Sequence, residues 1–129
     1  MATKTILIIE DEDNVREVAQ MSLELVGGWN VLAAPSGASG IDQAQANRPD
    51  LILLDVMMPD MDGPTTYRHL RADERTKAIP VILLTAKAQA AERAQLADLG
   101  VTGVITKPFD PVQLPEQIKQ ILGWNDAAE

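Results

Sequence analysis

Five short apolar runs punctuate the chain, at residues 6–9, 31–34, 51–54, 81–84 and 101–106, and the segments between them are polar or carry apolar residues at helical spacing. A continuous apolar run of this length, bounded by charge, Gly or Pro, predicts a strand buried on both faces of a parallel sheet; a strand with one wet face would alternate. After the first run, Asp13 or Asn14 can cap a helix whose positions Val15, Val18, Ser22, Leu25 and Val26 keep helical spacing, with Gly27-Gly28 as its stop. Pro35-Ser36 opens a helix over 37–47, with Ile41 and Ala44 inward. Pro64 suits the first position of a helix reaching about Arg71, with Tyr67 and Leu70 inward. Residues 72–79 read as a charged loop, 89–99 as an alanine-rich helix stopped by Gly100, and the last helix runs from Leu114 or Pro115 to Leu122, with Ile118, Ile121 and Leu122 inward. Five strands alternating with five helices through short connections predict an α/β fold, a doubly wound parallel sheet with helices on both faces and right-handed crossovers. The expected core spans 4–122, followed by a frayed tail at 123–129.

The 129 residues suit one domain, and 46% hydrophobic with 23% charged residues is the balance of a folded globular chain. A net charge of −8 and only 3% aromatic residues weigh against direct nucleic-acid binding, since neither a basic stripe nor a stacking platform is present. No apolar run is long enough to cross a bilayer and no charged start leads into a signal-type apolar segment, so the expectation is a cytoplasmic protein without membrane contact. The absence of cysteine excludes disulfides, thiolate metal sites and thiol catalysis.

The chemistry lies where the strands stop. Four of the five runs end in a reactive or polar residue, namely Glu10-Asp11, Asp55, Thr85 and Lys107. Strands of one sense end on one edge of a parallel sheet, so these groups are expected to converge there. Carboxylates brought together raise one another's pKa unless a cation intervenes. An open, oxygen-only cluster suits Mg²⁺, which keeps waters and takes up phosphate oxygens. An ammonium at Lys107 and a hydroxyl at Thr85 beside a metal-bound Asp55 form a phosphoryl-transfer site, with Asp55 as the nucleophile.

The segments Ile6-Leu7-Ile8-Ile9-Glu10-Asp11-Glu12, Leu51 to Gly63 with its Asp55-Val56-Met57-Met58-Pro59-Asp60-Met61-Asp62-Gly63 close, Val81-Ile82-Leu83-Leu84-Thr85-Ala86-Lys87 and Ile105-Thr106-Lys107-Pro108-Phe109 together resemble the receiver domain of two-component response regulators. The resemblance covers residues 4–122 and implies a flavodoxin-like strand order of 2-1-3-4-5. It implies a phosphorylation-activated switch rather than an enzyme acting on other substrates: Asp55 takes a phosphoryl group from a histidine kinase or phosphotransfer protein. Asp11 and Asp55 would ligate Mg²⁺, with Glu10 acting through a bound water and the Met57 backbone carbonyl completing the set. Lys107 would pair with the phosphate, Thr85 would report it, and the Lys107-Pro108 bond is expected cis.

Two departures shape the expectation. Val104 stands where the family often carries Tyr or Phe, so a change of output must travel through loop and helix shifts around residues 85–99. Met57 and Lys87 occupy positions that tune phosphate lifetime; an apolar Met57 cannot orient water, which points to slow autodephosphorylation. Asp60 and Asp62 read as turn formers, His69 as exposed, and Trp29, Trp124 and Tyr67 as packing residues. A haloacid-dehalogenase-type phosphatase would need an aspartate at position 57, and a flavodoxin-like cofactor carrier would not follow its first strand with four acids. A receiver-like interaction module that is never phosphorylated is the alternative reading. The expected output surface for a protein partner is the fourth helix, last strand and fifth helix, with Glu92, Arg93 and Lys119 exposed, in a monomer or weak homodimer.

Overall fold

The computed structural model describes residues 3–86 and 89–124. Its elements in order are β1 (Thr5–Ile9), α1 (Asp13–Met21) running into a π-helical turn (Ser22–Val26), β2 (Asn30–Ala34), α2 (Gly37–Asn47), β3 (Leu51–Asp55), α3 (Gly63–Ala72), β4 (Val81–Thr85), α4 (Ala90–Ala97), β5 (Gly103–Thr106) and α5 (Leu114–Leu122). The strands form one all-parallel sheet in the order β2-β1-β3-β4-β5, the doubly wound α/β arrangement expected. Every residue of β3 and β4 is buried, because successive side chains enter two different cores. Ile6, Ile8, Leu51, Leu53, Ile82 and Leu84 meet Ala19, Leu23, Leu114 and Ile118 from α1, the π-turn and α5. Leu7, Ile9, Ile52, Leu54 and Leu83 meet Ala44, Tyr67 and Leu70 from α2 and α3. Two-sided burial is why these strands read as unbroken apolar runs.

The stripe expected on the first helix needs correction. Ala19, Ser22 and Leu23 face the sheet, whereas Val18 is 42%, Leu25 78% and Val26 52% exposed. Val18 and Leu25, seven residues apart, share the outer face, and Ala19 and Leu23, four apart, share the inner one; at the helix end the Gly27 N–H donates to the Ser22 carbonyl five residues back, a wider turn. The cap also differs. Glu12 is the N-cap residue and makes no side-chain cap, while Asp13 lies inside the helix and pairs with Arg16. Ser36 and Asp62 do cap α2 and α3, accepting from the Ser39 and Thr65 N–H groups at 3.1 and 2.8 Å.

The α4 helix buries no residue completely; Leu96, and Leu99 in the turn after it, are the partly buried anchors. Lys119 does not project freely from the expected output surface: its ammonium lies 5.8 Å from the Trp29 ring centroid. Trp29 and Trp124 meet edge to face at 5.4 Å, which pins the end of α5. Lys87 and most of the expected frayed tail lie outside the described residues.

Candidate functional site

The carboxyl edge of the sheet gathers side chains from three distant parts of the chain. β1 delivers Glu10 and Asp11, β3 delivers Asp55, and β5 delivers Lys107. One carboxylate oxygen from each of Glu10, Asp11 and Asp55 lies within 4.8 Å of the others. The Lys107 ammonium donates to Glu10 Oε1 at 2.9 Å and to Asp55 Oδ1 at 3.1 Å, with Glu12 at 3.8 Å on its outer side. Register places it: Thr85 pairs with Thr106, and the Lys107 N–H donates to the Thr85 carbonyl at 2.7 Å. Lys107 is followed by a cis peptide bond to Pro108, as expected. Thr85 is fully buried at the end of β4.

Burial sets the electrostatics. Glu10 is wholly shielded from solvent and Asp55 is 2% exposed. Burial pushes the Glu10 carboxyl up from 4.5 to about 7, and the Lys107 and Glu12 hydrogen bonds only partly oppose that rise. Asp55 is raised by the same desolvation, again with Lys107 pulling against it. For Lys107, burial alone would lower the ammonium's pKa; the hydrogen bonds it donates to Glu10 and Asp55 outweigh it, so the net shift is upward. The balance is incomplete. Asp11 Oδ1 and Asp55 Oδ2 are buried oxygens without a hydrogen-bond partner among the described residues. Two such oxygens within a three-carboxylate cluster, with one cation on the opposite side, fit a divalent cation that prefers oxygen ligands.

The loop after β3 is held close to the strand end. A Cβ on Gly63 would come within 2.5 Å of the Asp55 carbonyl and 2.8 Å of the Val56 Cα, so only glycine lets α3 start there. The Gly63 N–H donates to the Val56 carbonyl at 2.9 Å, closing the loop that carries Met57, whose side chain is 64% exposed. Asp60 takes a positive φ of 66° in this loop, in keeping with its reading as a turn former.

One contact escaped the sequence reading. Arg16 Nη1 donates to the Glu10 carbonyl at 2.9 Å, tying α1 to the strand end, and its only sequence signal is an i,i+3 acid–base pair with Asp13. Beside the cluster an apolar groove of about 390 Å³ is lined by Asn14, Val15, Val18, Ala86, Lys107, Pro108 and Phe109.

Residues 6–119 match the family model of the response regulator receiver domain. The chain is 42% identical over 123 residues to the transcriptional regulatory protein CseB of Streptomyces avermitilis, an alignment covering 95% of this chain and 51% of that protein. It thus spans about half the length of the curated relatives it matches. Among solved structures, the chemotaxis protein CheY4 of Vibrio cholerae superposes with a TM-score of 0.85 at 28% identity, covering 93% of this chain and 99% of that one. The receiver domain of the sensor histidine kinase PA1611 of Pseudomonas aeruginosa, solved with a magnesium ion coordinated in its active site cleft, gives 0.83 at 30% identity, covering 95% and 99%. With its fold, its acidic edge and these likenesses in agreement, the chain belongs to the response regulator receiver domain family of two-component systems.

Proposed function

We propose that Asp55 accepts a phosphoryl group from a histidine kinase or phosphotransfer protein, and that the resulting change of charge alters the binding of a downstream protein. The observation that supports this is the pair of buried oxygens without a hydrogen-bond partner among the described residues, Asp11 Oδ1 and Asp55 Oδ2, in a three-carboxylate cluster whose other Asp55 oxygen Lys107 holds. Glu10, Asp11, Asp55 and the Met57 backbone carbonyl would hold Mg²⁺. Bound there, the ion would offset the negative charge of the carboxylates and of the phosphoryl oxygens. An Asp55 oxygen forms the new bond to phosphorus as the phosphorus–nitrogen bond of the donor's phosphohistidine breaks, and the departing imidazole keeps the electron pair and takes a proton from water. Lys107 then holds a phosphoryl oxygen, and the Thr85 hydroxyl is the donor on the neighbouring strand end.

The donor must bring its phosphohistidine to Asp55 in line, so its surface covers the rim of the site. The groove beside Lys107 continues into a second apolar hollow lined by Val18, Met21, Leu25, Val26, Pro111 and Val112. Five of the six large apolar side chains exposed among the described residues, all but Met57, lie on that strip. We assign it to the donor. Output is assigned to α4, β5 and α5: an α4 helix without a buried residue is the element a small change at Thr85 can shift most easily. Exposed Met57, lacking a group to orient water, supports slow loss of the phosphoryl group.

Intact mass after treatment with acetyl phosphate and Mg²⁺ tests the reading. An adduct of about 80 Da, the mass of one phosphoryl group, is expected. It should vanish in Asp55→Asn and on chelation, and decay faster in Met57→Asn. No adduct on folded, Mg²⁺-bound protein would leave the unphosphorylated interaction module as the better reading.

A further inference from the structure

The two edges of the sheet are finished differently. At β2, the Gln43 side chain reaches from α2 and donates to the Ala33 carbonyl at 2.9 Å, occupying an acceptor that points away from the sheet. At β5, the Lys107 N–H points toward β4, so strand alternation turns the N–H and C=O groups of Val104 and Thr106 outward. Among the described residues no side chain caps them. They open instead into a cavity of about 450 Å³, walled by Arg93 of α4 and by Gln117, Gln120 and Ile121 of α5. Strand exposure here is partial, with only Ile105 buried, so the main chain is within reach of a ligand. Arg93 is exposed and has no ion-pair partner among the described residues. Asp110, the acid on the same wall, is engaged by the Val112 N–H at 2.8 Å.

We propose that β5 receives an extended segment of the output partner as a sixth strand, with one carboxylate of that segment seated on Arg93. The partner's identity as an output protein rests on the receiver reading; the mode of docking rests on the open edge. Outward main-chain groups supply affinity independent of side chains, and the flanking walls select among them. On β5 the Val104 side chain enters the α2–α3–α4 core and Ile105 the α1–α5 core, so an added strand places alternate residues against Arg93 and against the α5 glutamines. A chain of net charge −8 disfavours a run of acids, so a single carboxylate among β-branched residues is the expected composition.

The test uses the isotope-labelled full chain and the peptide acetyl-Val-Glu-Val-Thr-Val-amide at up to about 1 mM, before and after acetyl phosphate treatment. Hydrogen exchange at the Val104 and Thr106 amides should slow by roughly tenfold or more in at least one of the two states. The same peptide N-methylated at its central valine should give no protection, and Arg93→Ala should weaken binding by about tenfold, as loss of one charge-assisted hydrogen bond predicts. Unchanged exchange at both amides in both states, or equal binding of the N-methylated peptide, would overturn the proposal. Intact mass on the same sample reads the Asp55 adduct separately, so a failure of strand addition is not confused with a failure of phosphoryl transfer.

Discussion

Lys107 lies between Glu10 and Asp55 at 2.9 and 3.1 Å, and one ammonium beside the three carboxylates of Glu10, Asp11 and Asp55 leaves the cluster short of positive charge. Glu10 carries the consequence. Its carboxyl, at 4.5 when exposed, is held at about 7 in the fold, chiefly by burial. Below about 4.5 it is protonated in both states; between there and about 7 the folded chain keeps a proton that the unfolded chain has released. Its contribution is therefore fully present below the unfolded value and is lost as pH rises through the folded one. Asp55, raised by the same cause, acts in the same direction. In chelator, the melting temperature should fall between about pH 5 and about pH 7.5, and Glu10→Gln should flatten that fall. An equally steep fall in the variant, followed by differential scanning calorimetry, would assign the dependence to other groups. The paired carboxylates work elsewhere on the scale: Asp73, held at about 2 by Arg75, loses its contribution only as pH drops toward that value. Asp55, Glu10, Asp11 and Lys107 were legible as strand-end residues because a parallel sheet aligns its ends. The close approach of Gly63 to the Asp55 carbonyl was not, since a glycine after Asp62 reads as an ordinary turn.

Among the elements, the first helix shows where periodicity stops being informative. Its sequence holds two neighbouring stripes, Val18 with Leu25 and Ala19 with Leu23, and hydrophobicity alone favours the former. The sheet takes the latter: small Ala19 lets the helix approach, and Leu23, four residues on, shares its face. Leu23→Ala should cost about 2–5 kcal/mol in urea denaturation, because a fully buried leucine leaves a cavity. Leu25→Ala, at a position 78% exposed, should stay within about 0.5 kcal/mol. Leu25→Glu should nevertheless slow phosphoryl transfer from a phosphohistidine donor while leaving the small donor acetyl phosphate unaffected. Equal slowing with both donors would remove the π-turn strip from the docking surface. Among the other helices, α2 and α5 match their expected ends, because Ser36, the αL residue Arg48 and Gly123 act locally, whereas α4 ends at Ala97, short of the expected 99.

At the scale of the whole molecule, the three-carboxylate cluster exists only when β1 and β3 are paired, so Mg²⁺ should bind the folded chain and barely the unfolded one. Saturation at about 100 times its dissociation constant should stabilise by about 2.7 kcal/mol. The effect should be larger at about pH 7.5 than at about pH 5.5, where protons compete for Glu10 and Asp55. It should be lost in Asp11→Asn, and sodium chloride at equal ionic strength should not reproduce it; a matching rise with sodium would mean general screening of the −8 charge. The amino-acid sequence by itself determined the number and order of strands and helices, the two-sided burial of the sheet, and which residues stand at strand ends. Those are properties of neighbouring residues, written in runs, caps and breakers. Tertiary structure alone decided which stripe of α1 faces the sheet, how far burial raises Glu10 and Asp55, which oxygens remain unpartnered, and that β5 keeps an open edge while Gln43 closes β2. Each of these depends on atoms far apart in the chain meeting at ångström distances, and no local pattern of residues encodes such a meeting.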